Sequence, residues 1–289
     1  SRLKNGNTPY ILNAIEATTN LVIAQLAIGE KENEITAIPK LLELLSIKGS
    51  TVTIDAIGTN EKIIRKIIDK EAHYLLTVKR NQPTAYEEIM NYFNTHTITE
   101  QNQYSTEEKN RERMEYRTIK VSKYNSWISM KEKFQGINEF AIQEQVRIKI
   151  EKESDGTDIT PGKKEFLQNG AKRKPKVAIG DQLTDEVYRI GLITDVEMSP
   201  KKMLQIKRDH WKIENGLHHI LDDTLHEDRS PAKNSKNNLA LLRKFVFNIL
   251  QIAKIRENSQ QGFPEMMDEF ADDSNKIRNY VLKGIESFY

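Results

Sequence analysis

The sequence contains no cysteine among its 289 residues, which excludes disulfide bonds and thiolate metal sites. It also has no long apolar run. The stretch LVIAQLAI at residues 21–28 is far shorter than the roughly 20 residues that are needed to span a bilayer. The first residues show no charged-then-apolar signal-peptide pattern. A cytoplasmic location is therefore the default expectation.

An excess of charge of one sign is lacking as well. The 44 lysines and arginines nearly cancel the 42 acidic residues, which leaves a formal net charge of +2. Whole-chain charge therefore does not indicate nucleic-acid binding, and only local basic patches could support it. A content of 37% hydrophobic and 30% charged residues is typical of a highly charged globular protein with one large domain or two ordinary ones.

The first 82 residues predict an antiparallel hairpin followed by a parallel α/β unit. The β-prone runs YILNAIEA and LVIAQLAIG flank a short polar turn and predict the hairpin. Apolar residues at helical spacing over 35–45 predict a helix with Pro39 near its first turn and Gly49 as its stop. The stretch STVTIDAIG predicts a strand that ends at Asp55. A helix and the strand HYLLTVKR follow, so this segment reads as a βαβ unit.

Residues 96–195 differ in pattern and predict a mostly β insertion. MEYRTIKVSKY, EFAIQEQVRIKIEKE and EVYRIGLIT are strand-like, and the polar stretch before the last of them predicts a mobile basic loop at Lys163–Lys176. After Pro200 the pattern is helical. The predicted fold class is therefore α/β, with a core formed by residues 1–95 and 196–255, the insertion at 96–195, and a helical tail at 256–289.

The segment HWKIENGLHHILDDTLHEDRS at 210–230 holds four of the six histidines. Helical spacing over this region places Glu214 at the border of a buried apolar stripe, with His210 and His218 on the same face. A carboxylate at such a border is held rigidly and can still meet a metal ion. The alternative for each of these residues is an ordinary border position.

Asp55 is the second candidate because it ends a strand that is predicted to lie inside the sheet. Ligands of open α/β sheets gather at the carboxyl ends of strands. The alternative is that Asp55 anchors the N-terminus of the following helix, where the helix dipole favours a negative charge.

Three long stretches resemble a known family: NEITAIPKLLELLSIKGSTVTIDAIGTN, YLLTVKRNQ and HWKIENGLHHILDDTLHED…NNLALLR. They are similar, in the same order, to DDE transposases of bacterial insertion sequences, in the branch of the H-repeat-associated proteins. The resemblance runs across residues 1–250. It implies a ribonuclease H-like catalytic core with an antiparallel meander, parallel strands and helices on both faces. It also implies cleavage and strand transfer of double-stranded DNA.

The resemblance also implies a metal site made by three acidic residues that hold two Mg²⁺ or Mn²⁺ ions. Asp55 matches the second acid and Glu214 the third, while His210, Asn215 and Asp228 match supporting positions. Two ions stabilise the attacking and the leaving oxygen of a phosphodiester, and such ions prefer oxygen ligands. Other residues of the same segment match family positions without an assignable role or are expected to be exposed and passive: Asp222, Glu227, His219 and His226.

The family's first acid lies in a DGK segment on the first strand, just before the point that matches Ser1. That strand is central in the family fold, between the hairpin and the strand that ends at Asp55. A sheet without it has two unpaired edges. We therefore expect residues to precede Ser1 in the natural protein. The alternative is a truncated remnant that is not an enzyme and retains DNA binding.

DNA contacts are expected from clustered cations, since phosphate binding requires them. Arg80 stands where the family usually has glycine. For each cation the alternative is a solvated side chain. The expected partners are the element ends and target DNA, with a homodimer in the synaptic complex at the nucleoid and no membrane. The candidate DNA-binding residues are Lys79, Arg80, Arg113, Arg117, Lys172, Arg173, Lys174 and Arg243.

A metal hydrolase of another class is the competing interpretation. In that case His210, Glu214 and His218 would form a zinc triad on one helix, which spacings of four residues permit. Three ligands on successive turns nevertheless surround a single ion less well than a pair with a distant third ligand.

Overall fold

The computed structural model describes residues 10–29, 32–110, 113–125, 127, 129, 133–149, 151–152, 158–159, 186–225 and 236–283. Contacts divide the chain into two compact units. The terminal unit consists of Ser1–Ile47 and Arg208–Tyr289, and the central unit consists of Lys48–Lys207. The domain boundaries predicted above were drawn from changes in sequence pattern and not from contacts, so they stay a prediction.

The strands and helices of the described residues are, in chain order, β1 (Tyr10–Glu16), β2 (Leu21–Ile28), α1 (Glu34–Glu43), β3 (Thr51–Ile54), α2 (Glu61–Asp69), β4 (His73–Val78), α3 (Pro83–Thr95), β5 (Gln103–Asn110), β6 (Arg113–Lys123), β7 (Glu139–Lys149), β8 (Glu151–Lys152), β9 (Asp158–Ile159), β10 (Glu186–Thr194), α4 (Pro200–His219), α5 (Lys236–Arg256), α6 (Phe263–Asp272) and α7 (Ser274–Arg278). Single 3₁₀ turns at Ala56–Gly58 and Glu100–Asn102 and π turns at Ile220–Thr224 and Asn279–Lys283 complete them. In the described ranges, no helix has the length and apolar character to cross a membrane.

The predicted hairpin is confirmed as the antiparallel pair β1–β2 of the terminal unit. The outer edge of β2 is closed by α5, because the Asn248 side chain donates to the Val22 carbonyl at 2.8 Å and accepts from the Val22 N–H at 2.9 Å. A side-chain amide thus replaces a neighbouring strand at this point.

Helix α1 is confirmed, but its boundaries differ from the prediction. Asn33 caps its N-terminus, so Pro39 is the sixth residue of the helix and lies beyond the first turn. The helix ends at Glu43, well before Gly49. Gly49 has a φ of 72° and donates its N–H to Glu71, so its conformational freedom is used in the connection that leads into β3.

The apolar interior of the terminal unit lies between α4, α5 and α6. Phe247 of α5 and Phe263 of α6 stack with ring centroids 5.3 Å apart. This cluster explains why the strongly apolar stretch after residue 236 is helical, since its buried face meets the apolar face of another helix. The buried members of the cluster are Leu217, Leu221, Phe247, Leu250, Ala253, Phe263, Met266 and Phe270.

The Glu16 carboxylate in the turn of the hairpin should make the stability of the protein depend on pH. The Glu16 carboxylate accepts from the backbone N–H of Thr18 at 2.9 Å and of Thr19 at 2.7 Å, and from the Thr19 hydroxyl at 2.6 Å. Burial opposes ionisation, but these bonds lower the pKa of Glu16 from 4.5 to about 2. The stabilisation is therefore present above pH 4.5 and is lost as the pH falls towards 2.

We expect Glu16→Gln to reduce the free energy of unfolding by about 1–2 kcal/mol at pH 7, because solvent screening at a turn weakens such bonds. Urea unfolding at pH 7 and at pH 3 measures the effect. The difference between wild type and variant should shrink at the lower pH, and a difference that is the same at both would contradict this role of the carboxylate.

The central unit is built on a mixed six-stranded sheet with the order β3-β4-β10-β7-β6-β5. β3 and β4 are parallel and are connected through α2, as predicted, and the other neighbours are antiparallel. The β-rich character of residues 96–195 is confirmed for the described strands, which continue the sheet of β3 and β4. Sequence reasoning missed β5. In the described residues β3 is an edge strand, which contradicts the prediction that the strand ending at Asp55 lies inside the sheet, because only β4 pairs with it.

Helices cover both faces of this sheet within the central unit. On one face α3 comes so close that a Cβ at Gly191 would lie 3.0 Å from the Ile89 side chain. A larger residue at this crossing would require the Ile89 and Val78 side chains to shift by a few tenths of an ångström. The first part of α4 packs against the opposite face. Side chains of α4 and of the sheet form one buried apolar cluster there. Its members are Leu75, Ile119, Val121, Ala141, Ile190, Leu192, Met198, Met203 and Leu204.

A carboxylate that is only 12% exposed fixes the end of the central unit at which β4 begins. Asp195, just after β10, accepts from the Tyr74 backbone N–H at 2.7 Å and bonds the His73 ring at 2.9 Å. The Tyr74 hydroxyl in turn donates to the Gln135 carbonyl at 3.1 Å. These bonds connect the start of β4, the segment around Gln135 and the end of β10. The candidate site lies at the opposite end of β3 and β4.

Candidate functional site

The candidate site lies at the carboxyl end of the parallel pair β3–β4. Asp55 follows the last residue of β3 with an extended backbone (φ −64°, ψ 163°), and the 3₁₀ turn Ala56–Gly58 begins directly after it. Its side chain is 55% exposed. The strand thus ends at a carboxylate that solvent can reach, at the edge of the sheet where ligands of α/β proteins bind.

The turn after Asp55 is held by residues that follow β4. The Asn81 side chain donates to the Ala56 carbonyl at 2.9 Å, and the Gln82 side chain donates to the Thr59 carbonyl. The buried Thr59 hydroxyl donates to the Thr77 carbonyl at 2.7 Å. These bonds give Asn81 and Gln82 of the stretch YLLTVKRNQ a structural role. The two side chains hold the backbone turn that directly follows Asp55.

Two lysines act on this carboxylate. The Lys79 ammonium lies 3.1 Å from Asp55 Oδ1, and the nearby Tyr188 hydroxyl contributes to the raised pKa of Lys79. Lys207, from α4, is only 4% exposed, donates to the Thr77 hydroxyl at 2.8 Å and interacts electrostatically with Asp55. The carboxylate therefore has one partly exposed cation in direct contact and one buried cation nearby.

The charge states of the pair follow from these contacts. Partial burial opposes ionisation of Asp55, but the Ala56 backbone N–H and the Lys79 ammonium lower its pKa below the usual value. Partial burial likewise opposes the charge of Lys79, but the bond to Asp55 and its negative charge raise the pKa of Lys79. Both groups are charged at neutral pH, so Asp55 offers an ionised carboxylate.

Asp55 fits one ligand of a divalent ion. An ionised carboxylate oxygen is the donor that Mg²⁺ prefers, and the strand end leaves it accessible. In the part of the chain that the structure describes, no group of three or more histidine, aspartate or glutamate side chains lies close enough to hold an ion. A complete ligand set therefore needs donors beyond the described side chains.

The structure places the remaining predicted metal-site residues as follows. Glu214 and Asn215 belong to α4, and their side chains lie outside the described residues. His210 is half-buried in the same helix and Asp228 lies outside the described residues. Their assignment stays a prediction.

Lys79, one of the predicted DNA contacts, pairs with Asp55, and the other predicted contacts divide into three groups. Arg80 and Arg113 are exposed. Arg117 pairs with Glu108 at 3.0 Å and with Glu115, and Arg243 donates to the Leu225 carbonyl at 2.7 Å, so both have bonds within the protein. The third group, the loop cations, lies outside the described residues: Lys172, Arg173 and Lys174.

Sequence reasoning missed three residues of the site, namely Thr77, Tyr188 and Lys207. The spacing of Lys207 from the buried Met203 and Leu204 was the available signal, since residues three and four positions apart share a helix face. Lys207 was missed because lysine is rarely buried in proteins. Tyr188 was missed because its position near Lys79 depends on the register of β10 against β4, which the sequence does not give.

Comparison with known proteins gives a consistent result. A family model described as "Transposase DDE domain" matches residues 10–247. "Putative transposase YncI" of Escherichia coli O157:H7 is 29% identical over 251 residues, which is 85% of this chain and 57% of that protein. "H repeat-associated putative transposase YhhI" of Escherichia coli strain K12 is 27% identical over 280 residues, covering 95% of this chain and 66% of that protein. The chain thus spans 57% to 66% of the length of these relatives.

Proposed function

Because this chain belongs to the family of transposases with a DDE domain, we propose that it carries out divalent-metal-dependent cleavage and strand transfer of the DNA of an insertion sequence. The observation that carries the proposal is the family match over residues 10–247, within which an ionised carboxylate stands at the carboxyl end of β3. The family consists of enzymes of the DNA-cleaving kind.

We infer that the core has a ribonuclease H-like fold. The antiparallel hairpin β1–β2, the parallel unit β3–α2–β4 and the helices on both faces of the sheet support this inference. So does the position of Asp55 at the end of the first parallel strand.

In this proposal Asp55 and Glu214 hold two Mg²⁺ or Mn²⁺ ions, with His210, Asn215 and Asp228 in supporting positions. The ions would stabilise negative charge on the attacking and leaving oxygens of the phosphodiester. Asp55 contributes an oxygen that is already deprotonated at neutral pH, because the Ala56 N–H and Lys79 lower its pKa. Asn81 and Gln82 position that carboxylate by fixing the turn behind it.

The proposed partner is double-stranded DNA at the element ends and at the target, bound by a homodimer at the nucleoid. The exposed Arg80 and Arg113 are the described cations that suit phosphate contacts best. The zinc hydrolase is not favoured, because the family match points to a DDE domain. The non-enzymatic remnant differs from the enzyme in activity alone, so a DNA-cleavage assay separates the two.

The assay uses protein expressed from its own gene and a labelled duplex that carries a terminal repeat of the element. We expect nicks that require Mg²⁺ or Mn²⁺, that EDTA abolishes, and that Glu214→Gln reduces by at least about a hundredfold. Asp209→Asn in the same helix is the matched control and should retain nicking. Nicking that survives Glu214→Gln would contradict the ligand assignment, and the absence of any metal-dependent nicking would favour the remnant.

A further inference from the structure

The ion pair between Lys79 and Asp55 engages the carboxylate that would bind a metal ion in the proposed function. The Lys79 ammonium is 3.1 Å from Oδ1 of the carboxylate, which is a direct hydrogen bond to one of its two oxygens. A divalent ion bound to the same carboxylate would lie within a few ångströms of this ammonium. The repulsion between a double and a single positive charge at about 4 Å weakens binding of the ion roughly thirtyfold even at the dielectric constant of water.

The two lysines near Asp55 differ in their freedom to respond to such an ion. Lys79 is 38% exposed and has a flexible four-carbon stem, so its ammonium can leave Asp55 at low cost. Lys207 is buried and bonded to the buried Thr77 hydroxyl. Lys207 is therefore a fixed charge, and Lys79 is the one that moves.

Tyr188 supplies the alternative partner that Lys79 requires. Its hydroxyl lies near the Lys79 ammonium and helps to raise the pKa of Lys79, beside the hydrogen bond that Lys79 makes with Asp55. When the ammonium leaves the carboxylate, a hydrogen bond to the Tyr188 hydroxyl would retain it beside the site. The ammonium would then stand next to the ion, where the phosphate of a DNA strand needs positive charge.

We propose that Lys79 is a positioning residue that competes with the divalent ion for Asp55, and that Tyr188 receives its ammonium when the ion binds. This inference rests on the proposed function in one respect, namely that Asp55 is a metal ligand. It adds a role for Lys79 that differs from a general DNA contact, and it assigns a role to Tyr188. In the absence of the ion, Lys79 keeps the Asp55 carboxylate paired and oriented.

The test measures the binding of Mn²⁺ alone to the 289-residue chain by isothermal titration calorimetry and by the electron paramagnetic resonance signal of free Mn²⁺. Lys79→Met should bind Mn²⁺ roughly tenfold more tightly, because the competing cation is gone. Tyr188→Phe should bind it roughly threefold more weakly, because the displaced ammonium loses its partner while it faces the ion. The two substitutions are therefore expected to change the Mn²⁺ affinity in opposite directions.

Lys48→Met is the matched control. Lys48 forms an exposed pair with Glu71 at 2.6 Å, beyond the opposite end of β3, so its removal changes the net charge equally without touching Asp55. Its Mn²⁺ affinity should equal that of the wild type. Because exposed ion pairs contribute little to stability, these variants should fold. Lys79→Gln repeats the test with a polar replacement.

The outcomes separate the inference from the proposed function. Unchanged or weaker Mn²⁺ binding by both Lys79 variants overturns the competition, even where Asp55→Asn abolishes binding and so supports Asp55 as a ligand. Binding that Asp55→Asn leaves intact contradicts the metal site itself, and with it this inference. Absence of binding in the wild type with binding in Lys79→Met supports the competition, whereas absence in every variant overturns both proposals.

Discussion

Replacing Asp55 with asparagine is expected to reduce metal-dependent DNA nicking by at least about a thousandfold. The change removes the negative charge that would hold an ion while it preserves the size and shape of the side chain. Metal ions contribute several kcal/mol of charge stabilisation in phosphodiester cleavage, and each 1.36 kcal/mol corresponds to a factor of about ten in rate. The measurement is the single-turnover nicking rate at saturating Mg²⁺, with protein expressed from its own gene.

The fold should tolerate this substitution. The bond between Asp55 and Lys79 is exposed, so its loss should change the free energy of unfolding by about 1 kcal/mol or less. The control is Asp69→Asn, which removes an exposed carboxylate at the end of α2 in the same unit and should nick at the wild-type rate. A folded Asp55→Asn variant that nicks within tenfold of the wild type would rule out Asp55 as a ligand.

The order and type of the main elements could be predicted from sequence because their burial patterns are simple. The apolar runs of β1 and β2 alternate with short polar turns, and the isoleucines of α2 repeat at helical spacing, so hydrophobic periodicity identifies both. The position of Asp55 at the end of a strand followed from the same reasoning, but the prediction that this strand lies inside the sheet was wrong for the described residues, in which β3 is at the edge. These features depend on neighbours that are close in sequence.

The features that could not be predicted depend on neighbours that are distant in sequence. β5 reads QYSTEEKN, which lacks the apolar alternation of a half-buried strand, and it forms because β6 offers an edge with which to pair. Lys207 looks like a surface lysine until α4 packs over Thr77. The structure also gives Lys79 two partners, Asp55 and Tyr188, where the sequence suggested only a cation near a DNA site.

The segment NRERMEYRT at residues 110–118 is similar to the same family at Glu115 and Arg117, and both charges have partners within the sheet. Glu115 is buried, pairs with Arg117, accepts from the Gln145 side chain at 3.4 Å and lies 3.6 Å from Arg147. Arg117 also pairs with Glu108. These contacts connect β5, β6 and β7 on one face of the sheet. The matched residues therefore have a structural reason to be charged, which is independent of any contact with DNA.

Removing the Thr77 hydroxyl is expected to have a large effect on stability. Thr77→Val retains the shape of the side chain but takes away an acceptor of the buried Lys207 ammonium. A buried charged donor that loses a hydrogen-bond partner costs about 1–3 kcal/mol, and we expect a value near the upper end. Urea unfolding of the wild type and of Thr77→Val, followed by far-UV circular dichroism, measures this cost.

Lys207→Met tests whether the cost arises from that charge. Replacement of a buried ionic group by an apolar one of similar length is often close to neutral, so this variant alone should lose less than Thr77→Val. In the Lys207→Met background, Thr77→Val should cost less than about 1 kcal/mol, because no buried ammonium remains to be satisfied. The double-mutant cycle should thus yield a coupling of about 1–2 kcal/mol between the two sites. Additive effects would instead mean that Lys207 is held by its other contacts, and that the charge beside Asp55 does not depend on Thr77.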